Sequence, residues 1–326
     1  MSENIDSFMD MDKNLKNFHK KETKIDVVSS FISDHGMPFI TSVIEDYQIV
    51  RQIGSGATGI VFEAFHKQLK RRVAIKVLKP HLCKNKIVLE RFKTEGKTIA
   101  RLKHENIAAI YDFVSKGDIH YIVMEYIEGS ELQGIMERLK RIPIEESVNI
   151  IMGVLRGLNI AHENNVIHRD IKPSNIIISS KGVPVLFDFG LAKLKDEAKN
   201  ISNVPVGTPS YMAPEQFQDR LKQRISHRTD FFSLGVMFYE MLTGELPFHG
   251  ESFSSIMNKI ITQEPLAPSK INPAISKKLD KIILKLLEKD PDDRYNNAKE
   301  VLEDLDCYKK NLPLKNIKNW PINTIK

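Results

Sequence analysis

The sequence predicts an α+β protein whose two kinds of structure are segregated along the chain. From Tyr47 to about residue 126, apolar and polar residues mostly alternate and glycines punctuate the runs, as in antiparallel strands. From there to about residue 308, apolar residues recur at helical spacing. The strand-rich part has about 80 residues and the helical part is about twice as long, the proportion of strands followed by helices rather than of alternating units.

The elements justify this in order. Residues 1–46 are polar apart from short apolar patches at 25–32 and 37–44. With five lysines against nine acids they carry −4, and they are expected to be a flexible extension, a docking segment being the alternative. YQIVRQIGSGATGIVFEAFH and RRVAIKVLKP alternate as strands do. Residues 86–103 place Ile87, Leu89, Phe92, Ile99 and Leu102 at helical spacing, and strand-like runs follow at 107–114 and 119–126. Residues 145–164 carry Val148, Ile151, Leu155 and Leu158 on one face, and further helical runs fall at 230–243, 252–262, 276–288 and 297–308. Residues 309–326 form a basic tail with five lysines, no acid, one tryptophan (Trp320) and two prolines.

Bulk properties narrow the function. At 326 residues, 41% hydrophobic and 28% charged, the chain has the make-up of a globular protein with an ample core. The net charge is +6, of which the middle carries +5. That suits a small anionic ligand and gives no basis for a nucleic-acid partner. Two cysteines, Cys83 and Cys307, lack pairing or metal spacing, which argues against disulfides and zinc. The acidic start MSENIDSFMDMDKN is no signal peptide, and no run approaches the roughly 18 apolar residues of a membrane helix. A cytoplasmic protein without a transmembrane segment is expected.

The chemistry lies in four stretches. IGSGATGIV sets Gly54, Gly56 and Gly59 in a G-x-G-x-x-G frame, where backbone amides can approach phosphates closely. Alone this is weak, but the glycines are followed by a strand pattern, which favours a hairpin over a nucleotide rather than a dinucleotide-binding turn. In VAIK, Lys76 sits inside an apolar strand and needs a carboxylate, for which Glu95 and Glu90 on the next helix compete; read singly, Lys76 at the surface would be the default. VIHRDIKPSNIII packs His, Arg, Asp, Lys and Asn between apolar flanks, and LFDFG puts Asp188 at the end of another apolar strand. Asp170 can orient a hydroxyl or take its proton, and Lys172 can stabilise phosphate charge. Asp188 with Asn175 offers the sparse oxygen set that Mg²⁺ prefers.

Taken in order with GTPSYMAPE, DFFSLG and DPDDRY, these motifs resemble the eukaryotic-type (Hanks-type) Ser/Thr protein kinases, bacterial members most of all, over about residues 47–308. The resemblance implies a bilobal fold, with a small antiparallel-β lobe containing one helix (47–126) and a larger helical lobe (127–308). It implies that Ile53, Gly54, Ser55, Gly56, Ala57, Thr58, Gly59, Ile60 and Val61 cover ATP. Ala74 and Met124, the gatekeeper, would line the nucleotide site, and the backbones of Glu125 and Ile127 would bind adenine. Lys76, paired with Glu95, would hold the α- and β-phosphates. Asp170 would be the catalytic base, Lys172 the γ-phosphate contact, and Asn175 and Asp188 the ligands of Mg²⁺, with Mn²⁺ as a substitute. Glu215 would clamp to Arg294, Asp230 would hold the catalytic loop, His168 would pack rather than titrate, and Phe189 would pack between the lobes.

Lys172, and Thr208 in contact with the catalytic Asp and Lys, imply serine or threonine as acceptor, and the GT…APE stretch implies protein substrates. Ser202 is implied as a regulatory phosphosite facing Arg169 and Lys193, filled by autophosphorylation through a transient dimer. Three rivals are weaker: a pseudokinase would have lost Lys76, Asp170, Asn175 or Asp188, a small-molecule phosphotransferase would lack the APE platform, and an oxidoreductase would follow its glycines with a helix.

Overall fold

The alternation in RRVAIKVL sends Val73, Ile75 and Val77 to one face of a strand and Ala74, Lys76 and Leu78 to the other. The computed structural model describes residues 44, 46–56, 58–84, 86–117, 119–189, 209–217 and 223–317. The strand is β3 (Arg71–Leu78), at the centre of a five-stranded antiparallel sheet of order β1-β2-β3-β5-β4. Its other members are β1 (Tyr47–Ser55), β2 (Gly59–His66), β4 (Ile110–Lys116) and β5 (Ile119–Glu125). One face buries Val73, Ile75 and Val77 with Phe62, Val123 and Ile44, a residue just ahead of β1. The other face packs Ala74, Leu78 and Met124 against Leu82 of α1 (Pro80–Cys83) and Phe92 of α2 (Lys86–Ile99). Lys76 falls on that second face, toward the helix and the cleft below.

Residues 126–128, outside any ladder, link β5 to β6 (Gly129–Glu131). β6 pairs with β7 (Ile176–Ser179), and β7 with β8 (Pro184–Leu186), in a small antiparallel sheet. The rest is helical: α3 (Leu132–Leu139), α4 (Ile144–Glu163), α5 (His227–Thr243), α6 (Phe253–Thr262), α7 (Pro268–Ile271), α8 (Lys277–Leu286) and α9 (Ala298–Lys309). α5 is buried on every side, and its apolar circumference explains why. The Ser226 hydroxyl caps its start by accepting the Arg228 amide, and Gly244 ends it in the left-handed conformation at φ 75°.

Two boundaries differ from the sequence reading for identifiable reasons. The helix expected to run to residue 103 stops at Ile99, because the Arg101 and Leu102 amides bond three residues back in a tight turn that still buries Leu102. The strand expected from residue 107 starts at Ile110, because Ile107 instead forms an isolated parallel bridge with Leu186. Leu314 and Ile317 of the tail pack into the helical core, whereas Trp320 lies outside the described residues. No helix among the described residues is long and apolar enough to cross a membrane, and both cysteines are free thiols.

Candidate active site

The loop flanked by apolar residues leaves the end of α4 and enters β7, so two buried elements fix its ends. α4 lies close on the segment before β4: a Cβ on Gly157 would come within 2.9 Å of the Asn106 carbonyl oxygen. The middle of the loop is held from below by Asp230 on α5, whose side chain is fully buried. Its carboxylate accepts the backbone amides of His168 (2.9 Å) and Arg169 (2.7 Å) and pairs with His162 Nε2 (2.8 Å). Burial alone would raise the Asp230 carboxyl, but the His162 hydrogen bond, the neighbouring imidazoles and the Arg169 amide outweigh it and hold it below its ordinary value.

His168 is fully buried, and burial lowers its pKa despite the carboxylates around it. Its Nδ1 accepts the Asp170 amide at 3.2 Å, so Nε2 carries the proton and donates to the Phe187 carbonyl at 3.0 Å. Its ring packs on Phe189, centroids 4.6 Å apart. It therefore packs, as anticipated, as a neutral side chain.

On the solvent side of this support, Asn175 Nδ2 donates to the Asp170 carbonyl (2.7 Å) and carboxylate (3.0 Å), and Lys172 Nζ lies 3.1 Å from the same carboxylate. Across the cleft, Lys76 Nζ is 2.6 Å from each carboxylate oxygen of Asp188. Asp188 lies just past β8 at φ 66°, and Arg169 also has φ 66°. Left-handed backbone is tolerable for aspartate and costly for arginine, and strain of this kind gathers at functional loops. Lys76 is 4% exposed, so the surface reading of this lysine does not hold. Glu90 is exposed and unsuited to pairing with it, and the Glu95 side chain lies outside the described residues.

Behind the ion pair is a cavity of about 30 Å³, room for about one water, walled by Ile99, Ile122, Met124 and Phe189. Met124 stands opposite Ala74 in the ladder, both buried. The next residue, Glu125, spends its N–H on the Ala109 carbonyl (2.8 Å), and its carboxylate accepts the Ala109 amide (3.2 Å). Ile127, half-buried, follows in the link to β6.

The glycine hairpin separates its glycines by cause. A Cβ on Gly59 would sit 2.5 Å from the Val77 carbonyl oxygen, so strand packing itself requires that glycine. At Gly54 and Gly56 the nearest protein atoms would be 3.8 and 3.9 Å away, so the fold does not demand them. Glycines with this open space around them fit what a phosphate cradle would need. Ile53 and Ser55 lie at the end of β1, Thr58 is buried in the turn, and Ile60 and Val61 begin β2; Ala57 lies outside the described residues. The donor set fits a metal–nucleotide group as well. The Asn175 amide nitrogen is committed to Asp170, while its carbonyl oxygen has no partner among the described residues. Among those residues no cluster of three or more His, Cys, Asp or Glu forms an all-protein cage.

Below the cleft, Glu215 and Arg294 form a two-pronged pair at 2.8 and 3.0 Å, both side chains fully buried. Gln216 Nε2 donates to the Arg169 carbonyl at 3.1 Å, tying this segment to the catalytic loop. Thr208, Ser202 and Lys193 lie outside the described residues. The sequence reading missed the His162–Asp230, Gln216–Arg169 and Lys76–Asp188 contacts. The last joins residues 112 positions apart, which no local pattern encodes.

The profile of the protein kinase domain matches residues 47–305 of the chain. The chain belongs to the protein kinase family. The kinase domain is 38% identical over 265 residues to a probable serine/threonine-protein kinase of Clostridium perfringens, covering 81% of this chain and 38% of that protein. It is 36% identical over 260 residues to the serine/threonine-protein kinase PrkC of Bacillus subtilis (79% and 40% covered). It is also 36% identical over 265 residues to the serine/threonine-protein kinase PknB of Mycobacterium leprae (79% and 42% covered). The match thus spans about two fifths of the length of these relatives.

Proposed function

We propose that this chain is a Ser/Thr protein kinase that transfers the γ-phosphoryl group of MgATP to serine or threonine hydroxyls of proteins. The observation that carries the reading is the arrangement of Lys76 with Asp188 and of Asp170 with Lys172 and Asn175, the latter on a loop whose His168 and Arg169 amides are held by the buried Asp230 carboxylate. Asp170 would orient the acceptor hydroxyl and receive its proton as the new O–P bond forms and ADP leaves. Lys172 would stabilise charge on the transferred group, and Lys76 would align the α- and β-phosphates. The hairpin amides at residues 54–59 would cover the phosphates, with Ala74 and Met124 beside the base. Mg²⁺, with Mn²⁺ as a substitute, would be held by Asp188 and Asn175 and would offset phosphate charge. Because phosphoryl transfer is chiefly positioning and electrostatics, these groups suffice.

The acceptor class rests on Lys172, on the expected place of Thr208, and on the similarity to serine/threonine-protein kinases. A cytoplasmic signalling kinase is the setting this reading favours. Ser202 is proposed as a site of autophosphorylation in trans, since a phosphate there adds about −1.5 to −2 charge that basic groups can order. Mass mapping after MgATP incubation, with a Ser202→Ala variant, tests this; an unmodified Ser202 or a wild-type rate in the variant rejects it. The enzymatic reading itself is tested by Lys76→Met. Phosphotransfer is expected to fall by at least about a hundredfold, corresponding to roughly 3–4 kcal/mol of lost transition-state stabilisation. Near-wild-type turnover would remove Lys76 from the mechanism.

A further inference from the structure

On the far side of the helical lobe, the first turns of α4 and α8 and the last turn of α9 enclose a groove of about 710 Å³. It plays no part in the chemistry above, and its size is that of a ligand or peptide site. Its floor is apolar: Ile144, Val148 and Tyr308. Its rim is basic: Lys277, Lys278 and Lys309. Lys278 rests on the carbonyl and side-chain oxygens of Asn311, and Lys309 on the Asn149 side chain. Both therefore hold neutral oxygens, and neither has a carboxylate partner among the described residues. Lys277 is shared with Asp280 at 3.3 Å. Glu145 also lines the groove and offsets part of this charge, leaving the rim net positive. Two helix N-termini opening on the same space add to the preference for anions.

We infer that this groove docks the acidic, apolar segment at residues 3–12 of the same chain. That segment, ENIDSFMDMD, holds four acids (Glu3, Asp6, Asp10, Asp12) and no base. Ile5, Phe8 and Met9 stand at i, i+3 and i+4, the anchor spacing of a helix entering an apolar groove. Charge and polarity match on both counts, with acids for the lysine rim, and an aromatic and a thioether for the Tyr308 floor. Reach is not limiting. The roughly 30 residues between this segment and Ile44 span up to about 100 Å when extended, against a radius of gyration of about 20 Å for a compact chain of this length. Tethering also supplies an effective concentration of order millimolar, so a modest patch is enough to hold the segment.

The test is carbodiimide cross-linking of the full chain with mass mapping, run on an equimolar mixture of ¹⁵N-labelled and unlabelled protein. Cross-links from Asp6, Asp10 or Asp12 to Lys277, Lys278 or Lys309, within isotopically uniform chains, are expected. In the paired reversal Lys278→Glu and Lys309→Glu, only Lys277 keeps an amine, and its cross-links to the segment should fall roughly fivefold, since two exposed ion pairs become repulsive. Adding Asp6→Lys and Asp10→Lys to that variant should restore cross-linking with the charges exchanged, which a merely misfolded groove would not do. Isotopically mixed cross-links would assign the groove to a second copy and overturn the inference. So would cross-links scattered over many surface lysines and indifferent to the reversals, which would leave the groove to some other acidic partner.

Discussion

Two ion pairs lie on either side of the loop that carries Asp170, and they are built differently. Lys76 and Asp188 meet across the cleft, one from the β lobe and one from the strand end beneath it, with the aspartate side chain 19% exposed. Arg294 and Glu215 meet inside the helical lobe with no exposure at all. Every guanidinium nitrogen of Arg294 is bonded: Nε to the Glu288 carbonyl, Nη1 to Glu215 and the Arg228 carbonyl, and Nη2 to Glu215 and the Lys289 carbonyl. Glu215 accepts the Thr229 hydroxyl as well, at 2.8 Å. The difference separates a closed pair, held within the fold, from a pair that faces the cleft. A buried pair offsets its desolvation only when its remaining donors and acceptors are satisfied, and Arg294 meets that condition within the fold. Asp188, at the cleft and partly open, is placed to exchange partners.

The largest expected effect falls on the closed pair. Arg294→Met should destabilise the protein by about 3–5 kcal/mol, because Glu215 is left charged and buried, read as a loss of denaturant midpoint. A loss under about 1 kcal/mol would make the two pairs equivalent. Lys76→Met should show the opposite split, with the midpoint unchanged or raised and phosphotransfer nearly lost, since an apolar chain of similar volume suits a strand face packed on α2. Concurrent loss of stability and activity would mean that the cleft pair is structural too.

The glycine hairpin sharpens the same distinction at a smaller scale. Gly59→Ala meets the Val77 carbonyl and should cost roughly 1–3 kcal/mol. Gly56→Ala should stay within about 0.5 kcal/mol of wild type in stability, yet weaken nucleotide use. Equal destabilisation by both would place the second glycine in the service of the fold.

The smallest effect concerns protonation of the support under the loop. His168 has a folded pKa below its ordinary 6.5, so the unfolded chain binds that proton first. Its contribution to stability is present above pH 6.5 and is lost as pH falls below it, by up to about 1.4 kcal/mol per pH unit. Imidazole ¹⁵N shifts should show His168 predominantly neutral, with its proton on Nε2, at pH 6.5. A charged ring there would contradict the packing.

Much of this was legible in sequence because it is periodic or punctuated. The alternation of β3 marked Lys76 as lying in an apolar strand, and the apolar spacing of 145–164, 230–243 and 276–288 placed α4, α5 and α8 within a few residues. Of the small sheet β6-β7-β8, only the apolar strand before Asp188 was read; its place in a sheet with β6 and β7 was not, since strands of three or four residues carry too little period to fix a register. α3, only eight residues long, went unread for the same reason. At the site, residue types and spacing suggested each group singly. The contact of Lys76 with Asp188, and the choice between Glu90 and other carboxylates, depended on how the two lobes close on one another, which is a tertiary fact.

The three residues between β5 and β6 have a mechanical consequence. On one side the Glu125 amide is fastened to Ala109, and on the other Gly129 is in register with Ser179 while the Ser180 amide donates to the Glu128 carbonyl. Arg72 spans the gap, its guanidinium 4.0 Å from the centre of the Tyr126 ring and 3.5 Å from the Glu128 carboxylate. A strap so short, tacked at both ends, has few torsions to spend. It joins an upper body, the five-stranded sheet, to a lower one that carries β6 and β7. Lys76 rides on the upper body, while Asp170, Lys172 and Asn175 belong to the lower one. On the proposed reading, the groups that would align an acceptor share one body, and Lys76 would meet the phosphates from the other.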